Sequence, residues 1–122
     1  MANALGEFEQ LLLLALLHLE GDTAHGVSIR ATIEQRTGRR VSAGAVYTAL
    51  DRLEQRGLVS SRLGEPGAPG QRGGRPRRYY RLERAGARAL ERSLDTLTAM
   101  ARGARPRLGV LTAGMGRDGN ET

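Results

Sequence analysis

The chain has no cysteine, no tryptophan and, among its 19 basic residues, no lysine. Without cysteine there is no disulfide framework and no thiolate nucleophile or metal site. The two histidines, His18 and His25, have no metal-ligand spacing between them. Aromatics are limited to Phe8, Tyr47, Tyr79 and Tyr80, and apolar residues make up 39% of the chain. That is a thin core for 122 residues, so burial against a second subunit is expected. The apolar run Leu11 to Leu17 is far shorter than the ~20 residues of a spanning helix. Glu7 and Glu9 precede it where a signal peptide would carry basic residues. The expected location is cytoplasmic, with no membrane partner. No Ser/His/Asp order, P-loop or dinucleotide-binding glycine motif is present, so neither an enzyme nor a cofactor is expected.

What the chain does have is arginine, and it is concentrated. Between Arg39 and Arg88 twelve arginines face four acids, a net +8 within a chain whose total is +6. The remainder is therefore slightly acidic. A basic middle on an acidic frame suits a polyanionic partner, whereas charge serving solubility alone would be scattered.

Hydrophobic spacing divides the chain into helices and two strands. Gly6 to Leu19 is apolar on nearly every side, as a helix covered all round would be. A second helix is predicted from about His25 to Thr37, with Gly26, Ile29 and Ile33 on one face and Arg30 and Glu34 on the other. Gly38 stops it and Ser42 caps the third helix, Ala43 to Arg56. Val46, Leu50 and Leu53 form the buried stripe of that helix. Gly44, Tyr47, Thr48, Asp51, Arg52 and Gln55 lie opposite. Leu58–Leu63 and Arg77–Leu82 alternate as two antiparallel strands around a Gly/Pro/Arg loop, residues 64–76. A fourth helix begins near Arg84, with Ala87, Leu90, Leu94, Leu97 and Ala101 at coiled-coil-like spacing. From Arg102 onward no periodicity remains.

Two helices joined by a tight turn, then an arginine-bearing ribbon, form the layout of a winged helix-turn-helix that grips duplex DNA. Ser42, Ala43 and Gly44 allow close approach of the third helix to the bases. Tyr47, Thr48 and Arg52 supply polar groups for base edges and phosphates. Arg72 and Arg75 in the loop, with Arg77 and Arg78 at its base, suit the minor groove and its phosphates. An ordinary half-buried Tyr47 and a merely solvated loop are the bland alternatives. The lone RGG element, residues 72–74, is weak evidence for RNA, because such elements normally come in arrays. A protein-binding winged helix and a sequence-tolerant architectural protein are the rival functions.

Four segments in order carry a resemblance: LGEFEQLLLLALL, AHGVSIRATIEQRTG, VSAGAVYTALDRLEQRGLV and RYYRLERAGARAL. Over about Leu5 to Ala101 the chain resembles the PadR family of bacterial transcriptional regulators, in its branch with a short C-terminal region. The resemblance implies an α+β fold, mainly α with a small β-hairpin: a winged helix-turn-helix with a C-terminal dimerisation helix. It implies a homodimeric repressor on an inverted-repeat operator in double-stranded DNA. It also allows a small-molecule effector of unknown identity, although the Trp clamp of some relatives is missing. The organisation expected is residues 1–82 for DNA binding, 83–101 for dimerisation and 102–122 as a disordered tail. Phe8, Leu12, Leu90, Leu94 and Leu97 are the expected dimer contacts. Glu83 stands where the family usually caps the last helix with Thr, which predicts a late or frayed start to that helix.

Overall fold

The computed structural model describes residues 4–19, 23–65 and 76–116. Helix α1 (Glu7–His18) opens with the Gly6 N–H donating to the Glu9 carboxylate at 2.9 Å. The acidic first turn and His18 in the last turn suit the helix dipole. α1 packs against the second and third helices and the second strand. It buries Leu12, Leu13, Ala15 and Leu16, and half-buries Phe8, Leu11 and Leu14. The all-round apolar pattern therefore has an internal explanation, and only Leu17 remains well exposed.

Helix α2 (Gly26–Thr37) ends where Gly38 adopts φ 75°, a left-handed backbone that glycine takes without strain. Helix α3 (Ala43–Gln55) begins five residues after Gly38 and inserts Val46, Leu50 and Leu53 into the core. Strands β1 (Val59–Leu63) and β2 (Arg78–Leu82) pair antiparallel, with Val59 opposite Leu82 and Ser61 opposite Tyr80. The other edge of β2 is also used. Tyr80 donates its N–H to the Ala24 carbonyl at 2.8 Å, and His25 bridges to Tyr79. The short segment before α2 thus ties the wing to the helices.

Helix α4 (Arg84–Ala101) starts without delay. The Glu83 carbonyl accepts from Ala87 N–H, and the Glu83 N–H donates to the Leu58 carbonyl. The expected effect of replacing a capping Thr is absent, because backbone bonds hold this corner. The Glu83 carboxylate is instead taken by the Ser60 hydroxyl at 2.5 Å. Gly86 is required here: a Cβ on it would collide with the Leu58 carbonyl and the Leu82 side chain.

Two expectations are corrected. Ala104–Gly116 form a helix, α5, where no regular structure and a single post-wing helix were expected; residues 117–122 of the expected tail lie outside the described residues. Gly103 at φ 80° ends α4, and Pro106 falls in the first turn of α5, where a missing N–H costs nothing. Secondly, Leu12 (0% exposed) and Leu90 (3%) belong to this chain's own core and have no surface to offer a second subunit. The reason is tertiary: α2, α3 and β2 cover α1, and the first turns of α4 pack into the same core. The chain divides into two compact units, Met1–Glu91 and Arg92–Thr122.

Candidate nucleic-acid interface

The turn before α3 is clamped at both the N–H and the carbonyl of one residue, Val41. Arg30 Nε donates to the Val41 carbonyl at 2.7 Å, and Glu34 accepts from Val41 N–H at 2.9 Å. The two side chains also approach each other at 3.6 Å on α2. Sequence reasoning placed them on the face opposite Ile29 and Ile33 and missed this role. Their i,i+4 spacing just ahead of the turn was the available signal. Ser42 Oγ then accepts from Ala45 N–H at 3.0 Å, the cap expected from sequence.

Clamp and cap fix the first turn of α3, whose outer side is open. Ser42, Ala43, Gly44, Tyr47, Thr48, Asp51, Arg52 and Gln55 are all exposed. Within that face Tyr47 is distinctive. Its hydroxyl occupies the place where a Cβ on Gly26 would stand, so the phenol lies across the start of α2. Only glycine at position 26 admits it. Thr48 has no such restraint and is the freer of the two hydroxyls.

The wing base is joined to α3 by side-chain hydrogen bonds. Arg78 donates to Ser61 Oγ at 3.0 Å, and Ser61 donates to the Glu54 carboxylate of α3 at 2.8–3.0 Å. Beneath them the Tyr80 phenol is pushed above its ordinary pKa, mainly by burial; Arg78 opposes the rise, and Asp51, Tyr47 and Glu54 add to it. On the neighbouring strand the Arg62 guanidinium lies over the Tyr79 ring, 5.0 Å from its centre. Arg77 is half-buried against His25, and Gly64 N–H closes the ribbon onto the Arg77 carbonyl at 2.6 Å. Arg72 and Arg75 lie outside the described residues. The structure therefore brings Arg77, Arg78 and the exposed side of α3 into one connected region.

No group of three or more potential metal ligands occurs among the described residues, and none of their helices is long and apolar enough to cross a membrane. The transcriptional regulator PadR-like family matches residues 13–92, spanning the helix-turn-helix, the wing and the start of α4. The chain belongs to this family. PadR-like proteins are transcriptional regulators, not enzymes. A PadR family regulator from Eggerthella lenta is similar at 26% identity and TM-score 0.62, over 84% of this chain and 86% of that one. One from Clostridium difficile is similar at 24% identity and TM-score 0.65, over 85% and 100%. Bacillus subtilis PadR, solved in complex with operator DNA, shares the fold at 19% identity and TM-score 0.58, over 71% and 47%. An uncharacterised 37.1 kDa protein of a Streptomyces fradiae transposon is 35% identical over 89 residues, 73% of this chain. The chain spans about a quarter of that relative, 23% of its length.

Proposed function

We propose that this PadR-like chain binds an inverted-repeat operator as a homodimer and represses transcription by occupying it. The carrying observation is the exposed outer side of α3, held by the Val41 clamp and linked through Ser61 to the arginines of the wing base. A helix in that position enters the major groove with its first turn, while the ribbon tracks the flanking backbone. Ser42, Ala43, Gly44, Thr48 and Arg52 face the bases, and Arg77 and Arg78 meet phosphates. Tyr47 contributes through its seat on Gly26 as well as its exposed surface.

Residues 1–82 carry the DNA-binding half in this reading, and α4 carries the dimer. Leu94 (36% exposed), Leu97 (60%) and Met100 (79%) continue the stripe that Ala89 and Leu90 begin inside the core. Phe8, half-buried, adds to that contact from α1. A small molecule of unknown identity acts as the effector in this reading, and the cytoplasm is the expected compartment.

In vitro selection from a random DNA pool tests the reading. It should return two related half-sites about 10 bp apart, centre to centre. Recovery of a motif without dyad symmetry would remove the dimeric operator, and recovery of no motif would remove sequence-specific binding.

A further inference from the structure

His25 stands where α2, the wing and the recognition helix meet. Its backbone is extended at φ −130° and ψ 173°, and it caps α2 by donating its N–H to Ser28 Oγ at 3.0 Å. Its ring meets Tyr79 of β2 edge-on, with centres 5.8 Å apart. The next residue, Gly26, is the one covered by the Tyr47 hydroxyl. Arg77 completes the surroundings, with one guanidinium nitrogen 2.6 Å from Nε2 and 3.2 Å from Nδ1.

Arginine only donates, so the imidazole nitrogen it meets must offer a lone pair. A neutral imidazole has one such nitrogen. Ser28 N–H competes for it through Nδ1, but at 3.4 Å against 2.6 Å. Only a neutral ring has a lone pair for either donor. A doubly protonated ring accepts from neither donor and repels the guanidinium.

We propose that His25 is a positioning residue for DNA binding: its neutral imidazole holds the Arg77 guanidinium at the junction of α2 and the wing, and protonation releases it. The proposal rests on the DNA-binding reading of α3 and the wing. Among the described residues, the charged and titratable groups around His25 are Arg77 and Tyr79 on β2, Arg62 on β1 at the Tyr79 ring, and Tyr47 of α3 across Gly26. None of them is a carboxylate that would pair with an imidazolium. Burial, and then the Arg77 charge, hold the His25 pKa below its ordinary value of 6.5. The pair is therefore closed at neutral pH.

The test is a double-substitution cycle on operator affinity, read by fluorescence anisotropy at pH 7.5 and pH 5. His25→Ser keeps an oxygen able to cap α2 but cannot reach Arg77. At pH 7.5, His25→Ser and Arg77→Ala should each weaken binding by roughly tenfold, the scale of a charged hydrogen bond. The double variant should lose no more than either single one. At pH 5 that coupling should be weaker than at pH 7.5. His25→Gln, whose amide oxygen accepts without titrating, should restore affinity at pH 7.5 and keep the coupling at pH 5. Additive losses at pH 7.5, or a His25→Gln profile superimposed on wild type, would overturn the proposal. NMR titration of His25 in free protein separates this failure from that of the DNA reading. Arg77→Ala should move its pKa up toward 6.5 whether or not DNA binds. An unmoved pKa overturns the pair itself, and a shifted pKa without any operator binding overturns the DNA role.

Discussion

α4 begins as part of the core and ends as an exposed stripe. Gly86, Ala89 and Leu90 are buried, whereas Leu97 and Met100, on the same side of the helix, are 60% and 79% exposed. The side-chain chemistry hardly changes along that line, so periodicity alone does not determine burial. The chain around Leu90 supplies a cover, and beyond Glu91 the first compact unit ends. The apolar stripe Leu94, Leu97 and Met100, left open over about two turns, is costly in water.

Substitutions along α4 should respond in two different ways. Leu90→Ala should destabilise the single chain by ~2–5 kcal/mol through cavity formation, as measured by urea unfolding. A loss under 1 kcal/mol would mean that Leu90 faces a partner after all. Leu97→Glu should leave the helical CD signal intact and weaken self-association by about 1.5–3 kcal/mol or more, the transfer free energy of one leucine. Multi-angle light scattering over a dilution series reads this directly. A dimer that persists undiminished at low concentration would place the interface elsewhere. Gly86→Ala tests the join between the regions. The new methyl meets a backbone carbonyl that cannot swing aside, so a cost of about 1–3 kcal/mol is expected. Thermal unfolding equal to wild type would show that the approach to Leu58 is looser than described.

Sequence patterns revealed the helix-turn-helix and the paired strands because each has a local physical cause. Ser42 caps, Gly38 turns, and Val46, Leu50 and Leu53 repeat with the period of a helix. They also placed the exposed side of α3. Three features were not legible. α1 is apolar on so many sides that sequence could not distinguish buried Leu12 from exposed Leu17. That distinction depends on where α2, α3 and β2 arrive. α5 has no apolar stripe and contains Pro106 and Gly109, so its pattern resembled a tail. The bonds from Arg30 and Glu34 to Val41 span eleven and seven residues, and they form only once the turn has folded.

α3 repeats the comparison across its width instead of along its length. Val46 and Leu50 are buried at 0% exposure, and Thr48 between them is exposed. Thr48→Ala should therefore change stability by no more than about 0.5 kcal/mol, like other surface substitutions. Its effect should appear in base preference, at ~1–3 kcal/mol for the affected position. Arg78 is also exposed, but it is held through Ser61 to Glu54 at the far end of the helix, away from the first turn. Arg78→Ala should weaken binding to operator and random DNA alike. It should also flatten the slope of log affinity against log salt by about one per subunit, since one fewer phosphate is neutralised. Salt titrations of both variants on both DNAs make the comparison. If Arg78→Ala altered base preference while Thr48→Ala left it intact, the roles assigned to helix and wing would be reversed.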